Sequence, residues 1–273
     1  METLAQKAAR FREMHHGPRI LVLPNAWDAG SARVFENAGF PAIGTTSAGI
    51  AASMGRPDGE QVPRDEMLAA VERITQAVSI PVTADMESGY GDPAKTVRGA
   101  LAAGAVGVNL EDARGSGLAE LGEAVEMIRA ARSAADKAGV PLVINARIDV
   151  YLFGVGAPET RFDETVRRAN AYREAGAACL FVPGVVEREA IAGLVRAIRG
   201  PLNVLAVKGV PAAPELEKLG VARVSSGSGP MRATLHLTRK IAQDLQRGEF
   251  GAFTEGIISW AEVNELMYRK APR

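Results

Sequence analysis

One cysteine, Cys179, is all the chain has, so no disulfide can form within it and a bridge-stapled scaffold is excluded. Histidine is nearly as scarce: His15, His16 and His236 are the full set. None falls where a histidine base or a zinc site would be expected. An excess of either charge is also missing, because 32 Lys and Arg face 32 Asp and Glu. A nucleic-acid or anionic-membrane surface needs a basic surplus, so neither partner is expected. No apolar run reaches the roughly 18 residues of a membrane span. Residues 1–16 carry Glu2, Lys7, Arg10, Arg12 and Glu13 without an apolar stretch, unlike a signal peptide. These absences predict a soluble, cytoplasmic protein with no nucleic-acid or membrane partner.

What is present is apolar material, 47% of 273 residues, in a repeating order. Short apolar runs cover residues 20–24, 42–46, 81–86, 106–111, 141–147, 178–183, 201–206 and 222–225. Between most of them, helix-like stretches close on glycine, as in Glu36-Asn37-Ala38-Gly39, Arg173-Glu174-Ala175-Gly176 and Glu217-Lys218-Leu219-Gly220. A glycine there suits the left-handed residue that ends a helix. The runs are continuous rather than alternating, which indicates strands buried on both faces of a parallel sheet. Eight such units, preceded by an amphipathic helix bearing Leu4, Ala8 and Phe11, predict an α/β fold, a (β/α)8 TIM barrel, over residues 1–247. A doubly wound open sheet is the rival. Residues 248–273 form an extra helical segment whose apolar stripe is Ile257, Ile258, Trp260, Val263, Leu266 and Met267. It packs either on a neighbouring subunit or on its own barrel.

Chemistry in such a barrel sits where the strands end. The third run ends in Asp85 and Glu87, and residues two apart on a strand point to the same side. Two carboxylates converging there suit a hard cation, Mg2+ or Mn2+; a pair of solvated loop acids is the simpler alternative. Neighbouring exits supply Trp27, Ser47 and Gly49, then Glu111 and Asp112, then Asn145, Arg147 and Asp149, and Asn203 further round. Acids beside an arginine are what a metal-bound carboxylate substrate requires, since guanidinium pairs with carboxylate in a two-pronged fashion. Mutual neutralisation in a structural layer is the other reading. Cys179, inside its run, is expected to be inert.

Five motifs together resemble one family. They are Pro24-Asn25-Ala26-Trp27-Asp28-Ala29-Gly30, Thr46-Ser47-Ala48-Gly49 with Gly55-Arg56-Pro57-Asp58, Asp85-Met86-Glu87-Ser88-Gly89-Tyr90-Gly91, Asn109-Leu110-Glu111-Asp112, and Asn145-Ala146-Arg147. The chain resembles the isocitrate lyase / phosphoenolpyruvate mutase superfamily. That resemblance implies Asp85 as direct Mg2+ ligand, with Glu87, Glu111 and Asp58 holding the ion through its waters. It implies Ser47, Ala48 and Gly49 for the substrate carboxylate, Trp27 as a pocket wall, and Asn203 as a polar contact. Arg147 would bind substrate and steady a developing enolate. It also implies a homo-oligomer, dimer or tetramer, that exchanges C-terminal helices.

Lyases of that family carry Lys-x-Cys-Gly-His after the fourth strand. Here Ala113-Arg114-Gly115-Ser116-Gly117-Leu118-Ala119-Glu120 stands instead, and Pro183-Gly184-Val185 replaces a glutamate after the sixth. The expectation is a Mg2+-dependent lyase acting on a small 2-oxo or 2-hydroxy dicarboxylate such as oxaloacetate. Phosphonopyruvate-type P–C chemistry and a non-catalytic 2-oxo-acid-binding barrel are the alternatives.

Overall fold

Pro24 splits the first strand in two, and the sheet closes on itself across that break. In the computed structural model, which describes residues 2–268, Leu21–Leu23 pairs with Arg223–Ser225 and Asn25–Ala26 pairs with Ile43–Thr45. The ring continues through Val82–Asp85, Gly107–Glu111, Val143–Arg147, Cys179–Val182 and Leu202–Leu205, all in parallel. Proline has no N–H to give the ladder, but its carbonyl still accepts from Gly44 N at 2.9 Å. The result is the expected (β/α)8 barrel.

Around it run the helices Ala29–Asn37, Arg64–Ala77, Pro93–Ala102, Leu121–Lys137, Arg161–Glu174, Arg188–Ala197, Ala213–Leu219 and Gly229–Gln246. Asp28 opens the first of these with a capping box, and Asp92 opens the third with Pro93 behind it. Gly176, one of the predicted helix closers, has φ +110°, a conformation side chains rarely adopt. The N-terminal helix Leu4–Glu13 stops the bottom of the barrel with Phe11, which is fully buried. A Cβ on Gly107 would lie 2.9 Å from the Phe11 ring, so only glycine leaves room for this plug.

Register partners in parallel strands share a face, and two successive rings of them point inward. One ring is Asp85, Asn109, Asn145 and Cys179. The next, two residues further along those strands, is Glu111, Arg147 and Phe181; the same register line reaches Asn203 and Arg223 near the starts of their strands.

The eighth helix behaves differently. Along Gly229–Gln246 only Met231 and Asp244 are buried, while Leu235 and Leu237 are half exposed. Val22, on a barrel strand, is 40% exposed where a helix should cover it. The predicted C-terminal stripe is also not one helix. Gly256, at φ +67°, and Ser259, which caps the helix Trp260–Met267, interrupt it, leaving Ile257 and Ile258 outside. That last helix touches Ala29–Asn37 of its own barrel, where Arg33 Nη1 donates to Tyr268 O at 3.4 Å. Among the described residues no helix is long and apolar enough to cross a membrane.

Candidate active site

Asp85 ends the third strand, and its carboxylate gathers donors from three elements. Ser47 N–H and Ser47 Oγ each lie 3.0 Å from Oδ2, and Asn109 Nδ2 approaches Oδ1 at 3.5 Å. Asn109 is itself oriented by Asn145 Nδ2, 2.8 Å from its Oδ1. The Asp85 N–H donates to Thr45 Oγ1 at 2.9 Å, tying the second strand to the third. Asp58 joins from the loop after the helix Ser47–Ser53, accepting from Ser47 Oγ at 3.2 Å. Desolvation, then the charge of Asp85, pushes its carboxyl above the usual range.

Arg147 lies opposite, held between two acids. Its Nη1 is 2.5 Å from Glu111 and its Nε 2.7 Å from Asp149. Burial raises Glu111 to about 8 despite Arg147, with Asp85 adding to the shift. Asp149 is fixed from behind: its N–H donates to Asp112 Oδ1 at 3.0 Å. The other oxygen of Asp112 accepts from Tyr172 OH at 2.7 Å and Arg168 Nη1 at 3.2 Å, all three residues being buried. Arg168 Nη1 also donates to Ala119 O at 3.0 Å, closing the base of the loop after the fourth strand.

Glu87 departs from expectation. The strand stops at Asp85, and Glu87 has φ +49°, so the two acids do not share a side by strand alternation. Its carboxylate takes the Glu60 N–H and the Tyr90 hydroxyl, the latter at 2.8 Å. Burial raises it to about 7, with Asp58 and Asp85 contributing. Glu60 and Tyr90 also have positive φ, and Glu60 accepts from Ser88 Oγ and Tyr90 N. Three residues in this strained region locked to one another are not visible in the sequence.

The geometry bears on two further expectations. Of the N–H groups expected to face a substrate, Ser47 N donates to the Asp85 carboxylate and Gly49 N to the hydroxyl of Thr46, the N-cap of that helix. Ala48 is the second residue of that same helix. Trp27 does pack there, since a Cβ on Gly49 would sit 2.8 Å from Trp27 Cβ. Second, no three acids, histidines or cysteines among the described residues form a cage that could ligate a metal directly. The expected arrangement, Asp85 as direct ligand with Glu87, Glu111 and Asp58 acting through water, needs no such cage. The acids still lie close enough to raise one another's pKa. One direct carboxylate with others acting through water is how Mg2+ is commonly held, so the donor set fits that ion.

The loop that lacks the lyase cysteine is a small hairpin. Ala113–Arg114 pairs antiparallel with Gly117–Leu118, and the turn is Gly115-Ser116. Cys179 is fully buried, and burial pushes its thiol to about 12, as an inert core residue should be.

With this geometry in hand, the comparisons are decisive: the family described as Phosphoenolpyruvate phosphomutase matches residues 11–246. The chain belongs to that family. It is thereby a member of the isocitrate lyase / phosphoenolpyruvate mutase superfamily of lyases and mutases. An uncharacterized Mycobacterium tuberculosis protein is 37% identical over 88% of this chain and 90% of its own length. An oxaloacetate decarboxylase of Bradyrhizobium diazoefficiens is 28% identical over 96% and 92%. Among solved structures, an oxaloacetate acetylhydrolase in complex with 3,3-difluorooxalacetate superposes with a TM-score of 0.86 at 25% identity, covering 98% of this chain and 94% of that one.

Proposed function

We propose that this protein is a Mg2+-dependent lyase that decarboxylates a small 2-oxo dicarboxylate of the oxaloacetate type. The observation that carries the reading is the acid cluster facing Arg147 next to a hairpin without any cysteine or histidine. The oxaloacetate relatives support the substrate class. Asp85 would hold the ion directly and Asp58, Glu87 and Glu111 through water, with Mn2+ as a substitute. When bound, the cation supplies Lewis-acid polarisation of the substrate oxygens. Ser47, Ala48 and Gly49 line the carboxylate end, Trp27 walls the pocket, and Asn203 contributes a polar contact. Arg147, oriented by Glu111 and Asp149, faces the oxygen where charge develops. The C3–C4 bond breaks, carbon dioxide leaves, and the electron pair moves onto the C2 oxygen. Protonation at C3 from water then gives pyruvate.

The test is pyruvate formation from oxaloacetate with Mg2+, corrected for the uncatalysed rate and compared with Arg147→Met. No turnover above that background, across a panel of 2-oxo and 2-hydroxy diacids, defeats the proposal. The family match favours one second reading, P–C bond chemistry on a phosphonopyruvate-like acid, which phosphate release would reveal. Without turnover, thermal stabilisation by 2-oxo acids would mark a binding barrel.

The uncovered Val22 and the exposed eighth helix support a homo-oligomer, dimer or tetramer, in which that region, with the described part of the C-terminal segment, residues 248–268, packs on a second copy; residues 269–273 lie outside the described residues. A monomer mass by light scattering would refute this. A reduced, buried Cys179 and a chain without a membrane-crossing helix among its described residues agree with a cytoplasmic setting.

A further inference from the structure

Of the two acids that clamp Arg147, Glu111 is set beside it by strand register. Asp149 is placed by other means. It lies two residues past the end of Val143–Arg147, and its N–H goes to the Asp112 side chain rather than to a neighbouring strand. Its Oδ1 takes Arg147 Nε at 2.7 Å, and its Oδ2 is buried without a donor. Among the described residues Arg147 is thus the single donor to that carboxylate, so the direction of the side chain comes from its backbone. Asp112 holds the backbone there with all of its polar groups engaged. Its N–H donates to Arg147 O at 3.2 Å, and its carbonyl accepts from Ala119 N at 2.8 Å. Oδ1 accepts from Asp149 N–H at 3.0 Å, while Oδ2 accepts from Tyr172 OH at 2.7 Å and Arg168 Nη1 at 3.2 Å.

A pair of Asp112 and Arg168 serving stability alone would need neither bond to the Arg147–Asp149 segment. Here one buried carboxylate carries both, and the same Arg168 nitrogen reaches Ala119 O, where the hairpin closes. We infer that Asp112, held by Arg168 and Tyr172, is a positioning residue that fixes the Asp149 backbone and through it the direction in which the Arg147 guanidinium meets the bound 2-oxo acid. This rests on the proposed role of Arg147 and adds to it what keeps that group still. The magnitude at stake is large, because displacing a binding group by about 1 Å can cost about a hundredfold in rate.

The probe is oxalate, a planar dianion resembling the pyruvate enolate, titrated calorimetrically with Mg2+ into wild type, Asp112→Ala, Arg147→Met and the double variant. Arg147→Met should weaken oxalate about a hundredfold, the cost of removing one partner of a close charge pair. Asp112→Ala should weaken it about tenfold, the worth of one good hydrogen bond to a charged group, since the guanidinium remains but is no longer aimed. The double variant should be within about twofold of Arg147→Met, because Asp112 acts only through that guanidinium. A merely structural Asp112 would give penalties that multiply. Asp112→Asn carries the same expectation if the alanine variant unfolds. Its one carbonyl oxygen goes to the charged Arg168 and to Tyr172, which leaves the Asp149 N–H without an acceptor. Oxalate binding by Asp112→Ala and Asp112→Asn within twofold of wild type, or multiplying penalties, overturns the positioning role alone. Wild-type affinity in Arg147→Met overturns it together with the part proposed for Arg147. Absence of oxalate binding by wild type overturns it together with the proposed function.

Discussion

Tyr172→Phe removes a single hydroxyl from a site no water can reach, since Tyr172 and Asp112 are each 1% exposed. Burial and the neighbouring Asp112 push the phenol well above its ordinary pKa, so it stays protonated and donates to Asp112 Oδ2 at 2.7 Å. A buried hydrogen bond to a charged group is worth about 1.5–3 kcal/mol, and the ring itself is retained. The expected loss is therefore about 2 kcal/mol of unfolding free energy. Arg168→Met should cost more, about 3–5 kcal/mol, because it strips the counter-charge from a buried carboxylate and releases Ala119 O as well. The assay is urea unfolding followed by circular dichroism, with the midpoint shifting at constant slope. A Tyr172→Phe variant within 0.5 kcal/mol of wild type, on the order of a surface change, would refute the reasoning. So would Arg168→Met being the milder of the two.

Other consequences can be measured directly. Asp85→Ala should abolish Mg2+-dependent oxalate binding, and unchanged cation affinity by calorimetry would contradict the site. Cys179→Ala should leave turnover intact and lower stability by about 1–2 kcal/mol, the range for a small buried truncation; a loss of activity without a loss of stability would assign the thiol a chemical role. His15 is held neutral at about 3 by burial and by the nearby Arg223, its Nδ1–H donating to Phe11 O at 2.9 Å. The unfolded chain takes up this proton near the ordinary 6.5 and the folded chain does not, so stability present above 6.5 is lost as pH falls toward 3. Relative to His15→Asn, wild type should lose about 2 kcal/mol between pH 7.5 and 5, and a pH-independent difference would reject the assignment.

The barrel was readable because its strands are continuous apolar runs punctuated by glycine and proline, which burial on both faces imposes. The same logic exposed Asp85, Glu111 and Arg147, polar residues at the ends of apolar runs. It failed at Glu87, where strand alternation was assumed two residues past the strand's end. The left-handed conformations of Glu60, Glu87 and Tyr90 are enforced by hydrogen bonds from distant elements, for which no local residue pattern exists. Pro24 was visible, but not that closure would pass through it. Asn109 and Asn145 interrupt apolar runs, and only the register shows that they line up behind Asp85. The eighth helix has ordinary amphipathic spacing, so its detachment from its own barrel left no mark in the chain.

The arrangement of protic groups bears on the proposed reaction. Cleaving a 2-hydroxy acid by carbon–carbon scission begins with removal of the hydroxyl proton, which demands a base near the bond that breaks. Tyr90, pushed upward by burial and by Glu87, holds its proton and spends it on that carboxylate. Ser47 shares its single hydroxyl proton between Asp85 and Asp58. The hairpin turn offers only Gly115 and Ser116, and Asp112 faces away into its pair with Arg168. A 2-oxo diacid needs no such base, because the departing carboxylate itself leaves the electron pair behind. What that pair requires is a positive group held still at the oxygen where it arrives, the role proposed for Arg147, which two acids clamp at Nη1 and Nε.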